Sequence, residues 1–167
     1  TSKIIAAIEY AQSVKASLVV FSELAVCGYP PKDLLEHEHF IESCKQAILE
    51  IAHHSRYIHV LVGAPHQQYN SANQKRLFNS VYHLHNGAIQ QIIHKTLLPT
   101  YDIFDEARYF ETATENQCIT IEGVKFAITI CEDIWNIQNH KYPTQPLDAL
   151  VKEQPAFVGL PFHNRSY

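Results

Sequence analysis

No run of apolar residues in this sequence approaches the ~20 that a membrane-spanning helix needs. Nothing at its start has the layout of a secretory signal. Those two absences make a soluble, cytoplasmic protein the expectation. Lysine and arginine are scattered, with no basic stripe, and the net charge is −4. That leaves no electrostatic footprint for nucleic acid or for an anionic membrane. The cysteines, Cys27, Cys44, Cys118 and Cys131, include no C-x-x-C pair and no compact zinc spacing. Reduced thiols are therefore expected, with Cys44 and Cys118 as packing residues. The histidines offer no H-x-x-x-H, and no carboxylate accompanies His37/His39, His53/His54 or His83/His85 at ligand spacing. They read as scattered surface residues, and no metal is expected. There is no internal repeat and no low-complexity tract.

What is present is enough for a packed core. A chain of 167 residues with 46% apolar and 18% charged residues has the composition of one ordinary globular domain. Ile4, Ile5, Ile8, Ala11 and Val14 recur at helical spacing, which predicts an amphipathic helix over 3–16 with Ser2 as its N-cap. Residues 18–22 read as a fully apolar strand, of the kind buried between helices. Gly28-Tyr29-Pro30-Pro31 interrupts regular structure, and the apolar pattern from Asp33 to His54 predicts one long helix. A buried strand over 57–62 is expected to end at Gly63-Ala64-Pro65. Asn86-Gly87 joins strands 77–85 and 88–94 in a hairpin. Glu122-Gly123 does the same for 117–121 and 124–131. Residues 96–110 read as a loop, 144–153 as a weak helix and 156–160 as a last strand. This order describes an α/β layered domain with a mixed sheet. It opens on a helix and stops soon after Cys131, so it reads as a piece of a larger domain, incomplete at both ends.

Three chemistry-bearing residues stand at the ends of apolar runs. Glu23 follows Leu18-Val19-Val20-Phe21-Ser22, and Lys95 follows Ile89-Gln90-Gln91-Ile92-Ile93-His94. Cys131 follows Ile128-Thr129-Ile130 and is succeeded by Glu132-Asp133-Ile134-Trp135. Singly, each has an ordinary reading: a packed thiol, a loop carboxylate, a surface lysine. A carboxylate, an ammonium and a thiol offered together at strand ends suit acyl transfer from an amide through a thioester.

The three blocks resemble the glutamate, lysine and cysteine blocks of the nitrilase, or carbon-nitrogen hydrolase, superfamily. They are most similar to the glutaminase domain at the N-terminus of glutamine-dependent NAD synthetases. Gly28-Tyr29-Pro30-Pro31-Lys32-Asp33-Leu34-Leu35 matches that group's G-Y-P-P-x-D-L-L run. Phe104-Asp105-Glu106-Ala107-Arg108-Tyr109-Phe110 matches F-D-E-x-R-Y-F, and Cys131-Glu132-Asp133-Ile134-Trp135 matches C-E-D-x-W. The resemblance covers residues 1–135 in the family's order and implies an α-β-β-α sandwich. It implies Cys131 as nucleophile, Glu23 as general base and acid, and Lys95 with the Glu132 backbone N–H as oxyanion donors. Tyr101, Glu132 and Trp135 would line the glutamine pocket. Glu106 would orient the lysine, although a loop glutamate paired with Arg108 has the same sequence. The glutaminase step would need no cofactor, and ATP and Mg²⁺ would belong to a synthetase domain of the same polypeptide. A homo-oligomer is implied as well.

The match departs from the family toward the C-terminus. The family's Asn-containing strand end and Ser-Pro pair, which serve the substrate α-carboxylate, have no counterpart in residues 156–167. Arg165 is the cation there. No S-G-G-x-D-S pyrophosphate loop of a synthetase module is present. A stand-alone amidase of the same superfamily and a catalytically silent scaffold are the rival readings. G-Y-P-P-x-D-L-L and F-D-E-x-R-Y-F favour the synthetase over the first, and the presence of all three residue types opposes the second.

Overall fold

Two mixed β-sheets packed face to face carry the site at one end of their interface. The computed structural model describes residues 1–102, 104–115, 118–137 and 142–159. Helix α1 (Ser2–Ser13) leads into strand β1 (Leu18–Val20), and a 3-10 turn (Lys32–Glu36) precedes helix α2 (Glu38–His53). Strands β2 (His59–Tyr69), β3 (Lys75–His85) and β4 (Ala88–His94) complete a sheet of order β1-β2-β3-β4. β1 runs parallel to β2, and the other pairs are antiparallel. Strands β5 (Cys118–Ile121), β6 (Val124–Ile128) and β7 (Phe157–Gly159) form the second sheet, with α3 (Pro146–Lys152) in the parallel crossover from β6 to β7. Among the described residues no helix is long and apolar enough to cross a membrane.

Strand alternation assigns each face its partner. On β2, Val60, Val62 and Ala64 point with Tyr82 and Leu84 of β3 toward Ile4, Ile8, Ile48 and Ile51 of the two helices. Leu61, Val81 and Ile93 point the other way, against Ile119, Ile121, Ile128 and Ile130. α3 lies on the outer side of the second sheet: Cys118, opposite in parity to Ile119 and Ile121, directs its Sγ to the Leu150 carbonyl at 3.9 Å. The layers are thus α-β-β-α.

Several readings differ from the sequence expectation. α1 starts at Ser2 with Thr1 as N-cap, and no side chain caps it. The helix expected from Asp33 is divided, because His37 is extended (φ −89°, ψ 116°). Buried Leu35 and Ile41 are six positions apart, which one helix would place on different faces, and the extended residue returns both to the core. β2 does not stop at Gly63 but runs to Tyr69; beyond Leu61 it has lost β1 as a neighbour, and an edge tolerates Pro65. The histidines are not all superficial. His59 and His83 are buried between the sheets, their rings joined Nδ1 to Nε2 at 2.9 Å, with His85 stacked on His59. Burial depresses both, His83 to about 4, so they pack as neutral rings. Both hairpin turns form as expected, with positive φ at Asn86, Gly87, Glu122 and Gly123, but β6 ends at Ile128, short of the expected 131.

Candidate active site

The same alternation that turns Val81 and Ile93 inward carries Asn79 and Lys95 to the same side, at the end of the interface away from the histidines. Asn79 sits in β3, and the Lys95 N–H extends the ladder by donating to the Asn79 carbonyl at 2.8 Å. Glu23 comes from the turn that follows β1. That turn folds tightly over β2, with Leu24 at φ 49° and the Gly28 N–H donating to the Leu24 carbonyl at 2.8 Å. Glu106 begins a 3-10 turn (Glu106–Arg108) within the 96–110 loop. Cys131 begins another, Cys131–Ile137, directly beyond β6.

These side chains meet in a closed ion cluster. Lys95 is fully buried, and its Nζ donates to Glu23 Oε1 at 2.7 Å and to both oxygens of Glu106 at 2.9 and 2.8 Å. All three ammonium protons are thereby used. Asn79 Nδ2 donates to Glu23 Oε1 at 2.7 Å and reaches Glu106 Oε2 at 3.4 Å, while the Tyr29 hydroxyl donates to Glu106 Oε1 at 2.7 Å. Arg108 pairs instead with Asp33 and Glu36 on the surface. Among the described residues none donates to Glu23 Oε2, which is buried.

The charges around this cluster decide how the thiol rests. Burial works against the Lys95 ammonium, but Glu23 and Glu106 outweigh it and hold the group above its ordinary value. Burial pushes Glu106 up against the pull of Lys95. Cys131 is pushed up to about 12 by burial and by Glu23, with Lys95 acting in the opposite sense. Its resting form at neutral pH is the protonated thiol. Glu23 has one oxygen held by Lys95 and Asn79, and among the described residues no donor reaches the other.

Beside the thiol lies a second acidic group with fixed geometry. Glu132 is buried, and both its oxygens are held, by the Tyr101 hydroxyl at 2.8 Å and the Tyr142 hydroxyl at 3.1 Å. Asn136 anchors the segment that bears Tyr142, bonding the Tyr142 N–H at 3.2 Å and the Thr144 carbonyl at 2.8 Å. Trp135 is 60% exposed. Arg165, the cation noted beyond the last strand, lies outside the described residues.

Sequence reading thus selected Glu23, Lys95, Glu106, Cys131, Tyr101 and Glu132, and the fold gathers them. It passed over Asn79 and Tyr142, and it quoted Tyr29 and Asp133 within matched motifs without giving them a role. Asn79 had a signal: a polar residue at the inward parity of Leu77 and Val81 in an apolar strand. Tyr142 had none, lying seven residues beyond Trp135 in a part of the sequence without periodicity.

The carbon-nitrogen hydrolase family model matches residues 1–142. The chain belongs to that family. It is 44% identical over 158 residues to the glutamine-dependent NAD(+) synthetase of Synechocystis sp., covering 90% of this chain and 28% of that protein. The carbon-nitrogen hydrolase chain therefore spans little more than a quarter of that relative's length. Among solved structures, the glutamine-dependent NAD+ synthetase of Acinetobacter baumannii superposes with a TM-score of 0.80 at 28% identity, over 95% of this chain and 28% of that one. An amidase from Nesterenkonia sp. superposes with a TM-score of 0.71 at 16% identity, over 99% of this chain and 59% of that one, a likeness of fold. The fold is the nitrilase-type α/β arrangement with mixed sheets, as the motifs implied.

Proposed function

We propose that this chain is the glutamine-hydrolysing part of a glutamine-dependent NAD synthetase. It would release ammonia for the ATP- and Mg²⁺-dependent amidation of nicotinic acid adenine dinucleotide by a further domain of the same polypeptide. One observation carries the reading: the buried Glu23–Lys95–Glu106 cluster lies within electrostatic range of the Cys131 thiol, in a chain 44% identical to an NAD synthetase. The cytoplasmic setting and a homo-oligomeric assembly belong to the same proposal.

In the proposed reaction Cys131 Sγ attacks the γ-carboxamide carbon as its proton passes to Glu23 Oε2. The carbonyl π electrons move to oxygen, and the oxyanion is met by the Lys95 ammonium and the Glu132 backbone N–H. Collapse expels the amide nitrogen, which takes the proton from Glu23 and leaves as ammonia. A thioester remains. Water then attacks it with Glu23 again as base, the C–S bond breaks, the proton returns to sulfur and glutamate departs. Glu132, held by Tyr101 and Tyr142, faces the substrate's α-ammonium, and Trp135 forms an outer wall of the pocket.

Cys131→Ala in the full-length protein tests this. Glutamine-driven NAD formation should be lost, while synthesis from added ammonia should persist, because the amidating domain does not use the thiol. Retained glutamine-driven turnover, or loss of the ammonia-driven reaction in a folded variant, would overturn the assignment.

A further inference from the structure

Asp133 follows the proposed nucleophile by two residues and takes no part in the steps above. It is nonetheless buried, at 4% exposure. Oδ1 accepts the Leu97 N–H at 2.7 Å and the Thr96 N–H at 3.1 Å, and Oδ2 accepts the Ile130 N–H at 3.0 Å. Thr96 and Leu97 directly follow Lys95, and Ile130 directly precedes Cys131. One carboxylate therefore ties the backbone leaving the oxyanion-binding lysine to the backbone entering the thiol.

Those two segments belong to different layers. Lys95 leaves β4 of the four-stranded sheet, and Cys131 leaves β6 of the three-stranded sheet. Apolar side chains hold the sheets together along their length, but such contacts do not fix a sideways offset as directional bonds do. Asp133 supplies those bonds at the catalytic end. It also closes the turn in which Cys131 sits at φ 46°, a left-handed conformation unfavourable for a residue other than glycine, through an Asp133 N–H to Ile130 carbonyl bond of 3.1 Å.

We propose that Asp133 is a positioning residue that fixes the separation of the Cys131 thiol from the Lys95 ammonium, and so sets the rate of thiol attack. The inference rests on the reading of Cys131 as nucleophile. The need for a carboxylate follows from the three donors it meets. An asparagine has one oxygen, which can serve Thr96 and Leu97 or else Ile130, and its amide hydrogens would then face a backbone N–H. Burial pushes Asp133 up to about 6 while the backbone donors from Leu97 and Ile130 hold it down, consistent with a carboxylate kept in the core for its acceptors.

The test is inactivation of the full-length protein by a chloroketone analogue of glutamine, in wild type, Asp133→Asn and Asp133→Glu. The maximal inactivation rate constant, the half-saturating concentration and the labelled peptide are measured alongside thermal unfolding. Wild type should label at Cys131. In Asp133→Asn the maximal rate constant should fall about a hundredfold, the loss typical of an ångström of misplacement, with half-saturation changed less than threefold. A merely structural role would lower the fraction of chains labelled and leave the rate constant of the folded remainder intact; that result, or a folded Asp133→Asn with wild-type kinetics, overturns the proposal. Asp133→Glu keeps the charge and shifts it by one methylene, so it should fold and show the same loss of rate. Failure of both variants to fold would assign the carboxylate to folding and also overturn it. A wild type not labelled at Cys131 would instead remove the nucleophile reading itself.

Discussion

Gly63→Ala should disable the site without touching any reacting group. A Cβ built on Gly63 would lie 2.3 Å from the Leu24 nitrogen, 2.7 Å from the Ser22 carbonyl oxygen and 2.9 Å from the Glu23 carbonyl carbon. Ordinary contact for such an atom begins near 3.4 Å, so the Glu23 turn must retreat by about 1 Å. All three obstructing atoms are backbone, and none can swing aside as a side chain would. The turn is also tied to β2 by the Val26 N–H to Gly63 carbonyl bond of 3.1 Å, which resists that retreat. Glu23 would then leave the hydrogen-bond range of Lys95 and Asn79 that now places its free oxygen. Misplacement of a catalytic group by about 1 Å costs on the order of a hundredfold in rate, and overpacking costs about 1–3 kcal/mol of stability. Ammonia release from glutamine, read beside urea denaturation, checks both. A folded variant with wild-type turnover would refute the claim that this close approach positions the base.

Two further outcomes follow from the geometry. Tyr142→Phe removes one hydrogen bond to Glu132, and should raise KM for glutamine about tenfold at nearly constant kcat, since bonds to charged groups contribute about 1.5–3 kcal/mol; unchanged KM in steady-state assays would remove Glu132 from substrate binding. His83 is held near 4 in the fold against 6.5 when unfolded, so the unfolded chain binds the extra proton first. Stability is then intact above pH 6.5 and declines as pH falls toward 4, by at most about 3 kcal/mol from this group. Denaturation of His83→Gln across that window should show a flatter dependence, and equal slopes would exclude His83 as the source.

The parts of this molecule that could be read from sequence are those governed by one segment at a time. Helix α1, both hairpins and the apolar strands follow from local periodicity and turn chemistry, and Glu23, Lys95 and Cys131 announced themselves by standing at strand ends. What could not be read depends on contacts between segments. Gly63 looked like a strand terminator; only the passage of the Glu23 turn across β2 shows that it is a point of close approach. His59 and His83 looked superficial because polarity was weighed without parity, whereas the inward phases of β2 and β3 bury them against each other. Asp133 stood within the C-E-D-x-W run, but its role could not be read there, since its partners Thr96 and Leu97 lie 37 and 36 positions away in the chain.

The cluster's protons and charge give the proposed mechanism its order. At rest Lys95 spends its three N–H groups on two carboxylates, one bond to Glu23 and two to Glu106. None is left for an oxyanion. When Cys131 attacks and Glu23 accepts the thiol proton, Glu23 becomes neutral and its hold on the ammonium weakens, just as negative charge develops on the substrate oxygen. One Lys95 donor can then turn from Glu23 to that oxygen while both bonds to Glu106 persist. The buried charge is unchanged, having moved from a carboxylate to the tetrahedral oxygen beside the same cation, so little solvent reorganisation is required. Glu106 is thus the permanent counter-ion and Glu23 the exchangeable one. That division explains why Tyr29 donates to Glu106 while, among the described residues, no donor reaches one oxygen of Glu23.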